Sequence, residues 1–201
     1  MAVIHDATLV PSKLELVARW LTAQPWCPAG VTCPADVERV GAYRFDDPDG
    51  EVGLEAHLVR AGGVLVHVPL SYRAAGLPGG EQHLVGTLEH SVLGRRWVHD
   101  ATGDPVFARA LADAVASRAA QAALVGPDGA PLGEPDVRVA PGAPGAGGPD
   151  AAGVVTTATT AGVRLGVVRV LDGTAAAPAG AATLTGTWSG QDAPALLAWT
   201  R

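Results

Sequence analysis

Residues 38–72 constrain the fold most. They hold three strand-like runs, about Glu38 to Phe45, Val52 to Arg60 and Val64 to Tyr72. Asp46-Asp47-Pro48-Asp49-Gly50, with turn chemistry, joins the first pair, and Gly62-Gly63 joins the second. Links this short leave no room for a crossover, so they predict an antiparallel meander. On the third run Val64, Val66, Val68, Leu70 and Tyr72 share one face by the period of two, and Leu65, His67, Pro69 and Ser71 share the other. Pro69 lacks a backbone N–H, which predicts an edge strand or a strand end there.

Helices are expected on either side. Residues 2–10 alternate weakly and predict a short strand. Ser12-Lys13-Leu14-Glu15 reads as a capping box, in which each side chain satisfies a backbone N–H at a helix start. Leu14, Val17, Ala18 and Leu21 continue the helical stripe until Pro25 ends it by about Gln24. Residues 26–36 read as a loop whose Cys27 and Cys33 are two unpaired thiols, as a reducing compartment favours. In residues 81–93, the spacing of Leu84 or Val85 with Leu88 and Ser91 or Val92 predicts a short helix ended by Gly94. A strand at 95–99 follows. Asp104-Pro105 then starts a second helix, which passes through Phe107, Leu111, Val115 and Ala119 and stops before Gly126.

Residues 126–153 hold 8 glycines and 6 prolines among 28, the composition of a linker or long loop. Beyond it, 154–160 and 163–171 predict a hairpin turned at Ala161-Gly162, and 182–188 and 195–200 predict two more strands. The expected class is α+β: a curved antiparallel sheet with flanking helices over 1–125, a linker over 126–153, and a small antiparallel β region over 154–201.

Composition excludes several functions. The chain has 201 residues, 48% of them hydrophobic, and a formal net charge of -6. A core is within reach, but nucleic-acid binding needs a clustered basic surface, and the only adjacent basic pair is Arg95-Arg96. No run approaches the roughly 20 apolar residues of a membrane span. The first residues lack the apolar core of a signal peptide. A cytoplasmic protein is expected. Of 14 basic residues, Lys13 alone is a lysine, and it follows Ser12 rather than a glycine, so there is no P-loop. Neither G-x-S-x-G nor H-E-x-x-H occurs. No cofactor and no metal are implied. Asp46, Asp47, Asp49 and Glu51 lack the spacing of a calcium loop and read as a solvated turn.

The densest polar cluster is Glu89-His90-Ser91 followed by Arg95-Arg96-Trp97-Val98-His99-Asp100. His90 or His99 could exchange protons, and Arg95 or Arg96 could clamp an anion. A helix–strand junction with capping carboxylates and solvated arginines accounts for the same residues. His57 and His67 read as ordinary sheet residues that could face each other across adjacent strands. An exposed Trp26 would be a carbohydrate or partner contact. The candidate ligand or partner residues are therefore Trp26, His90, Arg95, Arg96, Trp97, His99 and Asp100, and none is proposed as catalytic.

Several long segments carry a family resemblance: Ala7 to Leu16, Leu21 to Trp26, Arg44 to Pro48 with Gly50 to Gly53, Val68 to Arg73, and His83 to Asp104, read HLVGTLEHSVLGRRWVHDATGD. Over about residues 2–125 the chain resembles the maltokinase N-terminal cap-like proteins of actinobacteria. In maltokinases and the similar glucosamine kinases this cap precedes a two-lobed kinase. The resemblance implies a cystatin- or monellin-type sheet. Val154 to Gly173 is similar, more weakly, to the first N-lobe hairpin of those kinases, and 184–200 to later N-lobe strands. The phosphate-contacting lysine of that hairpin falls here on Gly166. The resemblance thus implies a cap plus a shrunken N-lobe remnant, with no catalytic-loop or metal-binding Asp motif following. Phosphoryl transfer needs such parts.

Three functions follow as expectations. The first is a non-catalytic accessory or binding protein in trehalose, maltose and glycogen metabolism, whose partner is a sugar kinase, another α-glucan enzyme or a carbohydrate. The second is an enzyme of α-glucan metabolism, sugar-kinase-like or branching, although branching requires a large barrel. The third is a regulatory half that docks on a separate kinase.

Overall fold

The computed structural model describes residues 2–31, 36–116, 119–148, 155–160 and 162–201. Cys33 and the turn residue Ala161 lie outside them, so the pairing of Cys27 with Cys33 does too. The N-terminal segment makes two short strands, β1 (Ala2–Val3) and β2 (Leu9–Val10). Helix α1 (Lys13–Leu21) follows with the expected capping box: Ser12 Oγ accepts the Glu15 N–H and Glu15 Oε2 accepts the Ser12 N–H. Such a cap is worth about 1 kcal/mol.

The meander forms as predicted, with β3 (Val37–Phe45), β4 (Gly53–Ala61) and β5 (Val64–Arg73) antiparallel in sequence order. Asp47 shapes the first turn, its carboxylate accepting N–H groups of Asp49, Glu51 and Val52. Residues 84–90 form β6 (Leu84–His90), not a helix, and pair with β7 (Gly94–Asp100). Short apolar runs do not distinguish the two periods, and here the neighbours decide. β6 lies between β2 and β7, and a side chain at Gly86 would meet Leu16 of α1 at 2.8 Å. The six-stranded sheet has the order β2-β6-β7-β5-β4-β3.

Pro69 is therefore not on an edge strand. The His67 N–H points away from β4 and donates to the Arg169 carbonyl. Pro69, two residues on, faces the same way, where the pairing of Val66 with Val170 has ended and that of Leu70 with Asp100 begins. The missing donor falls in a gap between partners.

Asp104 caps α2 (Pro105–Val115) through the Val106 N–H and receives two 2.7 Å hydrogen bonds from Arg73. The helix stops at Val115, short of Ala119. Gln121 then binds the backbone of Val137 and Val139, and the Ala122 N–H donates to Arg44. The Gly/Pro-rich stretch is not one continuous loop. It follows β8 (Leu124–Val125), which pairs with β1, and contributes β9 (Val137–Pro141). The last strands, β10 (Val155–Thr160), β11 (Val163–Val168), β12 (Ala182–Trp188) and β13 (Gln191–Thr200), join β9 in an antiparallel sheet ordered β10-β11-β13-β12-β9.

Two cores result. Leu16, Val17 and Leu21 of α1 pack with Val59, Val66, Val68 and Val98 on one face of the larger sheet. On its other face Tyr43, Phe45, Leu54 and Leu58 meet Phe107 and Leu111 of α2 and Leu165, Leu184 and Leu197 of the smaller sheet. The architecture is α+β. No helix among the described residues is long and apolar enough to cross a membrane.

Candidate functional site

Period-two alternation puts Glu55, His57 and Tyr72 on the α1 face of the larger sheet, where the capping box sets down Lys13 as the first helical residue. Glu55 is buried, and a buried carboxylate requires charged partners. Lys13 Nζ lies 2.5 Å from Glu55 Oε2, Arg44 Nη2 3.0 Å and His57 Nε2 3.5 Å. Burial alone would raise the Glu55 pKa, but the His57, Lys13 and Arg44 interactions outweigh it and hold the carboxyl well below its ordinary range. Burial lowers the Lys13 ammonium from its usual value, against the opposing pull of Glu55. The ammonium also sits 5.2 Å from the centre of the Tyr72 ring, within cation–π reach.

Lys13, Arg44 and Tyr72 of this cluster line a cavity of about 520 Å³, together with His5, Asp47, His90 and Arg96. A second cavity of about 260 Å³ adjoins it at Ile4, Lys13 and Arg44. The larger volume lies within the range of small-molecule sites.

A second polar cluster joins the two sheets. Arg169, fully buried just beyond β11, donates to Asp100 at 2.5 Å, to Thr102 at 3.2 Å and to Thr156 at 2.9 Å. Its guanidinium lies 4.9 Å from the centre of the Trp26 ring. His67 stands beside it on the face opposite to His57, so the two histidines do not face each other. Its Nδ1 is 3.0 Å from the Val168 carbonyl, which only accepts, so Nδ1 carries the proton and Nε2 accepts from Tyr43 O–H at 3.0 Å. Burial, with Arg169 nearby, drops the His67 pKa to about 3.

The seven residues singled out from sequence are divided among different places. His90 and Arg96 line the large cavity. His90 Nδ1 accepts the N–H groups of Val92 and Leu93, and its pKa is lowered by burial and then by His5, Arg96 and Lys13. Arg95 points outward into an exposed pair with Glu89 at 2.7 Å. Trp97 is half-buried beside Gly76. His99 is buried, its Nε2 accepting the Leu77 N–H at 3.3 Å. Asp100 is committed to Arg169, and Trp26 is buried, edge-on to Trp20, rather than exposed. The last three serve the interior because His99 and Asp100 stand in the buried C-terminal half of β7 and Trp26 packs into the core beneath α1. Lys13, Arg44, Glu55 and Tyr72 were missed. Their available signal was a glutamate on an apolar strand face, which demands a cation. Among the described residues no cluster of three or more His, Cys, Asp or Glu side chains is placed to hold a metal.

Residues 20–104 match the family model described as the maltokinase N-terminal cap domain. The chain carries a maltokinase N-terminal cap-like domain. The matched span begins within α1 and runs through β7 to the N-cap of α2, so it takes in most of the larger sheet and Arg44, Glu55, His57 and Tyr72 of the site. Lys13 precedes it. No curated protein matches the chain.

Proposed function

We propose that this protein is a non-catalytic accessory module of maltose and α-glucan metabolism, which binds a partner enzyme or a carbohydrate and does not phosphorylate a sugar itself. Residues 1–125 act as the cap, of cystatin or monellin type, and 154–201 keep the strand pattern of a kinase N-lobe without its nucleotide-binding parts. The cap match over 20–104 supports the metabolic setting. The observation that carries the non-catalytic reading is the packing at Gly166, the position that falls on the phosphate-contacting lysine. A Cβ there would lie 2.2 Å from the Trp199 ring across the strand pair. The indole fills the place of a side chain, and the sole lysine is bonded to Glu55 in the other sheet.

The test is ADP release by the purified chain with ATP, magnesium and maltose or glucosamine, paired with thermal shift in ATP and magnesium. The expected result is no sugar-dependent ADP release and no nucleotide shift. Sustained sugar-dependent turnover refutes the reading and restores the sugar-kinase-like alternative.

A further inference from the structure

The large cavity has a polarity that its net charge hides. Its acidic residues are at the exposed rim or already engaged: Asp46 and Glu51 are exposed, and Asp47 accepts three backbone N–H groups of its own turn. Its base is half-buried and rich in donors. Lys13 and Arg44 share Glu55 Oε2, which leaves two ammonium N–H groups and the rest of the Arg44 guanidinium without a hydrogen-bond partner among the described residues. Arg96 gives one Nη2 hydrogen bond to the Leu93 carbonyl. His90 receives two N–H groups on Nδ1 and so keeps its proton on Nε2 as a further donor. Apolar residues of the N-terminal segment and β6, Ile4, Leu9 and Leu88, line it as well.

We infer that this cavity binds a small organic anion, a phosphate ester or carboxylate on a short carbon skeleton, through Lys13, Arg44 and Arg96. Surplus donors in a half-buried site want a ligand that brings oxygen acceptors, and charge-assisted hydrogen bonds to an oxyanion are about twice as strong as neutral ones. Guanidinium groups match phosphate and carboxylate geometry, while the solvated carboxylates of the rim contribute little at the base. A volume of about 520 Å³ accommodates a molecule of roughly a dozen to twenty heavy atoms. The inference stands apart from the accessory reading, since an anion site is compatible with either presence or absence of kinase activity.

Titration calorimetry of the purified chain tests it with inorganic phosphate, glucose 6-phosphate, gluconate and neutral maltose, at constant ionic strength in chloride. Saturable binding of glucose 6-phosphate or gluconate is expected, and which of the two binds tells phosphate from carboxylate. Arg96→Gln should weaken that binding at least about tenfold, while Arg95→Gln, whose side chain points outward beside it, should leave it unchanged. Arg96 makes one backbone hydrogen bond, so its loss should spare the fold, and an unchanged unfolding midpoint verifies this. Absence of binding by all three anions overturns the inference, and so does equal weakening by the two arginine variants, the mark of diffuse surface charge. Maltose binding alone also overturns it, while leaving the accessory reading intact.

Discussion

Acid should weaken this fold well before its carboxylates titrate. His67 is fully buried between the sheets, with its Nδ1–H on the Val168 carbonyl and its Nε2 on Tyr43. Burial first, then the Arg169 charge, lowers its pKa from 6.5 to about 3. Above pH 6.5 both folded and unfolded chains hold a neutral imidazole, and His67 adds no pH dependence. Below 6.5 the unfolded chain takes up a proton that the folded chain refuses until about pH 3, so stability falls as pH falls. At 1.36 kcal/mol per unit, the loss through His67 is about 2 kcal/mol by pH 5. His90 and His99 are shifted in the same sense and add to the wild-type slope. Glu55 and Asp104, with lowered pKa values, begin to act only as pH drops below 4.5 and 3.8. Urea denaturation followed by tryptophan fluorescence at several pH values from about 7.5 to 5 measures the effect. His67→Gln should be less stable at neutral pH but lose about 2 kcal/mol less on acidification to pH 5. Parallel pH profiles for the two proteins would refute the assignment of the slope to His67.

Arg169→Met should destabilise by about 3–5 kcal/mol in urea denaturation, because it leaves Asp100 buried without its cation, and Asp100→Asn in the same chain should recover part of the loss. Gly166→Ala should lower stability by several kcal/mol, since its Cβ lies 2.2 Å from the Trp199 ring, and Trp199→Leu in the same chain should relieve part of that overlap; a melting temperature unchanged by Gly166→Ala would contradict the packing. Ser12→Ala should cost about 1 kcal/mol by removing half of the capping box of α1, again read from urea denaturation.

Local chemistry made the scaffold legible. The turn at Asp47, the face shared by Val66, Val68 and Leu70, and the caps Ser12 and Asp104 each depend on residues close in the chain, and each is found where its chemistry places it. The misreadings arise where distant contacts decide. Residues 84–90 are spaced for a short helix, but Gly86 sits under Leu16 and His90 pairs with Leu9, so the segment is drawn into the sheet. Val137–Pro141 carries linker composition, but β12 supplies backbone partners for it. Pro69 sits inside a sheet because two separate partners, Val170 and Asp100, leave a gap opposite its nitrogen. None of these neighbours is visible from the segment itself.

The site was hidden for a different reason. Chemistry is expected where polar residues are dense, and β7 and its turn are the densest stretch. Density along the chain marks mostly exposed or capping groups, as Arg95 and Glu89 show. The informative residue was isolated. Glu55 lies between Leu54 and Ala56 on a strand buried on both faces, and the meander register sets it beside Arg44 on β3 and Leu70 on β5. A carboxylate there is sustained only by cations from other elements, and Arg44 and the single lysine of the chain meet it. The scarcity of lysine thus has a structural consequence: the one ammonium group is held at the boundary of the two cavities, where it neutralises Glu55 and still presents two donors to whatever enters.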